Sequence, residues 1–217
     1  MMPPADSSPV LLKVGGSLLN WVRLPEQVDR LQRHLLPRET VIVPGGGPVA
    51  DLVRRWHRIH SLNQEQAHWL AVDTLTLTRR LLVEILPRAT EAHDRSDIER
   101  AWRSGQLPVL DPGDWLRNPE LAAVDPLPQT WDVTSDSIAA WIAQRIEIGP
   151  PSRLVLAKSV DLPADCTVEQ AATRGLVDAH FAHCLHGLSV EWINLRSEPL
   201  IVQQWRDGQS VPAVAAD

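Results

Sequence analysis

Short apolar runs that end in glycine alternate along this chain with stretches whose apolar residues recur every three to four positions. Pro9 to Val14 (PVLLKV) is a continuous apolar run closed by Gly15 and Gly16, the signature of a buried strand. PEQVDRLQRHLL follows, with Val28, Leu31, Leu35 and Leu36 at helical spacing behind Pro25, a residue suited to the first helical position. ETVIVP reads as a second buried strand and runs into Gly45, Gly46 and Gly47. Helices are expected over PVADLVRRWHRIH and from Gln64 to Leu86. Residues 87–128 are rich in proline and hold one helical pattern, SDIERAWRSG, and one short strand, LPVLDP. A helix begins near Thr134, with Ile138, Trp141 and Ile142 on one face. Strand RLVLAK, a helix around Val177 to Leu185, strand VEWINL and a short helix, EPLIVQQW, complete the pattern. Strands alternating with helices argue for an α/β sandwich around a mostly parallel sheet.

At 217 residues, 44% hydrophobic and 22% charged, the composition is that of one globular domain spanning residues 1–217, with residues 1–8 expected to be disordered. A net charge of -6 argues against nucleic acid as a partner. Two cysteines, Cys166 and Cys184, give no disulfide framework and suit a reducing cytoplasm. The first residues lack a basic stretch followed by an apolar one, so no signal peptide is expected. No apolar run approaches the roughly 18 residues a membrane span requires. Nine tryptophans stand beside one phenylalanine and no tyrosine, and most are read as packing residues.

Ligands of parallel sheets bind beyond the carboxyl ends of the strands, and three segments there carry unusual chemistry. In Lys13-Val14-Gly15-Gly16-Ser17, glycines after a strand let backbone N–H groups approach an anion, while Lys13 supplies a point charge. The order is neither that of a P-loop nor GxGxxG. Pro44-Gly45-Gly46-Gly47-Pro48 repeats the arrangement after the next strand. Two tight turns and a lysine without a role is the competing reading, weakened because the pattern occurs after two consecutive strands. In Asp132-Val133-Thr134-Ser135-Asp136-Ser137, Thr134 or Ser135 can cap a helix with Asp136 in its first turn. The same helix start can also receive a phosphate.

KVGGSLL, VPGGGPVAD, TSDSIAA and LVLAKSVDL, in that order, resemble the amino acid kinase superfamily, which includes acetylglutamate, carbamate, aspartate, isopentenyl phosphate and bacterial uridylate kinases. The resemblance implies a three-layer αβα fold, with ATP over the C-terminal half and a phosphoryl acceptor over the N-terminal half. It implies that Lys13 stabilises the transferring phosphoryl group and that Asp136 organises the catalytic lysine or lysines. Gly15, Gly16, Ser17, Thr134 and Ser135 would meet the ATP phosphates, and Mg²⁺ would bridge them. Lys158 and Asp161 would lie near the base; Gly45, Gly46, Gly47, Arg54, His68 and Asp132 would form the acceptor side. Family members of this kind are often homo-oligomers. AHWLAV and WDVTSDSIAAW are most similar to the kinases of methanofuran-type cofactor synthesis, which phosphorylate [5-(aminomethyl)furan-3-yl]methyl phosphate.

The sequence departs from the family pattern in two places. TDVDG or TKVDG is replaced by AKSVDLP, and RGLVDAHF has no lysine where many members carry a second one. These departures leave a catalytically reduced nucleotide or metabolite sensor as the rival to a working kinase. Arg54 and Arg58 share a helix face, with Asp51 placed to pair with Arg55; that face is either solvated or, through Arg54, a ligand for an acceptor phosphate. His180, His183, Cys184 and His186 form a cluster whose first three members share a face on a helix, but no fourth metal ligand is evident and no metal is assigned.

Overall fold

A computed structural model describes residues 9–34, 36, 39–146, 153–206 and 209–211. The expected disorder of residues 1–8 and the helical position of Leu35 lie outside the described residues. Eight strands form one sheet: β1 (Val10–Val14), β2 (Thr40–Pro44), β3 (Ala89–Ala92), β4 (Leu107–Leu110), β5 (Arg153–Lys158), β6 (Ser189–Asn194), β7 (Val202–Arg206) and β8 (Gln209–Val211). Their order is β3-β4-β2-β1-β5-β6-β7-β8, parallel through β6 and antiparallel for the last two.

Eight helices accompany them among the described residues: α1 (Leu24–His34), α2 (Gly47–His60), α3 (Gln64–Ile85), α4 (Arg95–Arg103), α5 (Pro112–Arg117), α6 (Pro119–Ala122), α7 (Ser135–Ala143) and α8 (Val168–Thr173). The fold is a three-layer αβα sandwich. Period-two alternation in the strands sorts the core into two halves. Val10, Leu12 and Val14 of β1 and Val155 and Ala157 of β5 pack with Leu24, Val28 and Leu31 of α1. Leu11 of β1 and Leu154 and Leu156 of β5 face the other way, against Ile138, Ala139 and Ile142 of α7. Lys13 and Lys158 continue this second set, so both leave neighbouring strands on the α7 side.

Three readings of the sequence are corrected. EPLIVQQW contains strand β7 rather than a helix, because Val202 pairs with Ile193 and the buried Trp205 pairs with Val190. The stretch from Val177 to Leu185 forms only a short 3-10 turn, Phe181–Cys184, because its polar groups bind neighbouring segments: the His180 N–H donates to the Asp132 carbonyl at 3.0 Å. His180 and His183 stack their rings at 4.9 Å while Cys184 is buried, and no three potential metal ligands are gathered among the described residues. The pattern also missed β3 and α8, although α8 has a capping box in which Thr167 and Gln170 satisfy each other's backbone N–H groups.

The glycine bends interlock. The Gly45 N–H donates to the Val14 carbonyl at 2.9 Å, and Gly47 has φ +55°, a conformation that favours glycine. A Cβ on Gly16 would lie 2.5 Å from Gly47 Cα. Gly16→Ala must push the two bends apart and is expected to cost about 1–3 kcal/mol. Urea unfolding measures this, and an unchanged midpoint would contradict the close approach.

Candidate active site

Parallel register sets the charges. Lys13 lies opposite Leu156, so Lys158, two residues further along β5, is its diagonal neighbour on the same face. Asp136, in the first turn of α7, sits between them. Lys13 Nζ is 2.7 Å from Asp136 Oδ1, and Lys158 Nζ is 2.8 Å from Asp136 Oδ2. All three side chains are buried. The Lys13 contact is a close ion pair, and Lys158 donates to both Asp136 and the Leu176 carbonyl, the latter at 2.6 Å.

Burial alone would raise the pKa of Asp136, but Lys13 and Lys158 together outweigh it and hold the carboxyl down to about 2. Burial lowers Lys158 to about 8, reinforced by Lys13 and opposed by Asp136. With all three ionised, the cluster carries one positive charge more than it neutralises. A buried excess charge of this kind is stabilised by an incoming anion.

Lys13 and Asp136 open onto a cavity of about 300 Å³ that is also lined by Gly16, Ser17, Gly46, Gly47, Arg54, His68, Trp131, Thr134 and Ser135. Three element starts face it. Gly16 and Ser17 begin a 3-10 turn (Gly16–Leu18), Gly46 precedes α2 without a side-chain cap, and Thr134 precedes α7. First-turn N–H groups lack helical acceptors, so the starts at Gly16 and Gly46 favour an anion, while the Thr134 and Ser137 N–H groups of the third already donate to the Asp178 carboxylate. Arg54 stands over the Trp131 ring at 4.9 Å and pairs with Asp51 at 2.7 Å, in place of the expected Asp51–Arg55 pair. His68 is buried; burial lowers its pKa, partly opposed by a hydrogen bond to the Thr130 backbone, and the ring is neutral near pH 7.

Of the residues singled out from sequence, Gly15, Gly45, Lys158, Asp161 and Asp132 are not in the cavity wall. The Gly15 N–H donates to the Ala157 carbonyl, fixing the first bend to β5. Asp161 accepts from the Asn194 side chain at 2.9 Å. Asp132 is exposed, and its backbone carbonyl holds His180. Lys158 reaches Asp136 from the β5 side.

The sequence profile of the amino acid kinase family matches residues 8–165, well over half of the chain. The chain belongs to the amino acid kinase family. A curated relative, the [5-(aminomethyl)furan-3-yl]methyl phosphate kinase of Methanocaldococcus jannaschii, is 24% identical over 152 residues, 70% of this chain and 66% of that protein, just under two thirds of its length. Among solved structures, the uridylate kinase of Archaeoglobus fulgidus matches with a TM-score of 0.58 at 16% identity, covering 84% of this chain and 88% of that one. The aspartate kinase of Synechocystis gives 0.54 at 13% identity over 96% of this chain and 42% of its own. At these identities the structures establish the shared fold.

For this member of the family, sequence reasoning missed the second ammonium group at Asp136. RGLVDAHF has no lysine, and β5 supplies one instead. Composition held the signal: the chain has two lysines against nineteen arginines, and both lysines are at this aspartate. Asp136 has a folded pKa below its unfolded value, so its stabilising contribution is complete above about pH 4 and disappears as pH falls towards 2. Removing its charge leaves two buried ammonium groups facing each other. Asp136→Asn is therefore expected to cost about 3–5 kcal/mol at pH 7. It should also lose less stability than the wild type between pH 5 and 3. Urea unfolding at the three pH values checks both, and equal acid sensitivity would contradict the assignment.

Proposed function

We propose that the protein is an ATP-dependent, Mg²⁺-requiring phosphotransferase acting on a small acceptor that already carries a phosphate. The supporting observation is the convergence of both lysines on Asp136, beside a cavity bounded by two interlocked glycine bends. Phosphoryl transfer needs alignment and stabilisation of charge on the equatorial oxygens more than covalent help from the protein. An acceptor oxygen bonds to the γ-phosphorus of ATP as the bond to the β-phosphate oxygen breaks and ADP departs. Lys13, on the cavity side, and Lys158, on the β5 side, would flank that phosphorus and offset its charge. Asp136 keeps both ammonium groups aimed, and amides of Gly16 and Ser17 would receive phosphate oxygens.

The donor set suits a Mg²⁺ that arrives on the nucleotide. Both Asp136 oxygens are engaged by ammonium groups, and Asp51, which also lines the cavity, pairs with Arg54. Mg²⁺ commonly binds substrate phosphates and retains waters, and would supply charge neutralisation there.

The cavity chemistry supports an acceptor that carries a phosphate. Arg54 offers a guanidinium to an acceptor phosphate, Trp131 offers a flat apolar surface, and His68 adds a neutral ring. These features, with the curated relative's name, favour [5-(aminomethyl)furan-3-yl]methyl phosphate as the first acceptor to test. The two cysteines, both buried and neither in a disulfide, accord with work in the cytoplasm, and a homo-oligomer accords with the family reading. No helix among the described residues is long and apolar enough to cross a membrane. The rival sensor reading rested partly on a missing second lysine, a role that Lys158 can fill from β5.

Coupled ADP release across phosphorylated acceptors tests the proposal. Lys13→Ala is expected to reduce kcat at least about a hundredfold. Arg54→Ala should raise the acceptor KM about tenfold or more with a smaller change in kcat. ATP binding without turnover of any acceptor would favour the sensor, and unchanged kinetics in Arg54→Ala would remove Arg54 from the acceptor site.

A further inference from the structure

The segment Leu176–His180, between α8 and the 3-10 turn, touches both sides of the charged cluster. The Leu176 carbonyl accepts from Lys158 Nζ, and the His180 N–H donates to the Asp132 carbonyl just ahead of α7. Between them, Asp178 directs its carboxylate at the start of α7. Its Oδ2 accepts from the Thr134 N–H at 2.9 Å, the Thr134 hydroxyl at 2.7 Å and the Ser137 N–H at 3.0 Å, while Oδ1 accepts from the Ser137 hydroxyl. Thr134 is the N-cap residue of α7, yet its own side chain does not cap the helix. The carboxylate 44 positions from Thr134 does so instead. The two donor residues bracket Ser135 and Asp136, the first two residues of the helix.

We propose that Asp178 is a positioning residue of the phosphoryl-transfer site: it fastens the first turn of α7 so that Asp136 remains between Lys13 and Lys158. This rests on the kinase reading for its catalytic consequence, but not for the alignment itself. A helix cap alone does not require a charge here, because asparagine caps about as well as aspartate. The charge is unfavourable for Asp178 itself: burial and the neighbouring Asp136 raise its pKa against the four hydrogen bonds. Its effect on Lys158 is favourable. Lys158 faces Asp136 from α7, Lys13 from β1, the Trp192 ring from β6 at 5.3 Å, and Asp178 from this segment. Of these, Asp136 and Asp178 oppose the loss of its proton, whereas Lys13 promotes it.

Because the chain has only two lysines, protein labelled with ¹³C at lysine Cε gives two side-chain signals, assigned with Lys158→Arg. In the wild type the Lys158 signal should titrate near 8. In Asp178→Asn its midpoint should fall by about half a unit or more. The alkaline limb of the kcat profile should move the same way, with kcat at neutral pH reduced about tenfold and both KM values within about threefold. Ser137→Ala, which removes the hydroxyl's hydrogen bond to Asp178 and no charge, should reduce kcat less and shift both lysine signals at pH 7 while leaving the Lys158 midpoint in place. An unmoved Lys158 midpoint in Asp178→Asn overturns the proposal, as does wild-type kcat in that variant. Should Asp178→Asn not fold, unchanged lysine signals in Ser137→Ala overturn it. A wild type that turns over no acceptor refutes the kinase reading, and the lysine titrations still decide the role of Asp178.

Discussion

A buried carboxylate shared by two ammonium groups is the interaction on which the rest of this site depends. Taking three ionised groups out of water is unfavourable unless each is closely paired, and Asp136 achieves this by giving one oxygen to Lys13 and the other to Lys158. The three side chains by themselves remain one positive charge in excess, and burial, reinforced by Lys13, holds the Lys158 pKa down at about 8. An anion entering the neighbouring cavity would relieve that imbalance. The stability of this site and the proposed phosphoryl transfer thus rest on the same three side chains.

Strand parity explains how the cluster forms. β1 and β5 are adjacent and parallel, and each ends in a lysine that continues the row of leucines packed on α7. A shift of one residue in either strand would send its lysine to the α1 side. The glycine bends then bring β1 and β2 close enough for the starts of the 3-10 turn and α2 to face the same space. Asp178 ties the third start, that of α7, to the crossover between β5 and β6.

Much of this was legible in sequence because it depends on local pattern. VLLKV and ETVIVP showed buried strands, their glycines showed where the backbone comes close, and TSDS showed a helix beginning with an acid. The glycines were read as room for a ligand, and the structure adds a second reason, since Gly16 and Gly47 touch each other. What escaped depends on register and distant contacts. The role of Lys158 follows from its alignment with β1, which RLVLAK alone does not reveal, although the scarcity of lysine pointed to it. Asp178 caps a helix whose N-cap residue, Thr134, lies 44 residues earlier, and no periodicity records that. EPLIVQQW carries apolar spacing compatible with a helix, but an unpaired edge at β6 makes it a strand.

The most direct measurement is a crystal structure with Mg²⁺ and a non-hydrolysable ATP analogue. The account places the terminal phosphate within hydrogen-bond distance, about 3 Å, of both ammonium groups, with Asp136 still between them and not bound to the metal. A terminal phosphate that lies away from both lysines, or Mg²⁺ coordinated by Asp136 in their place, would contradict it.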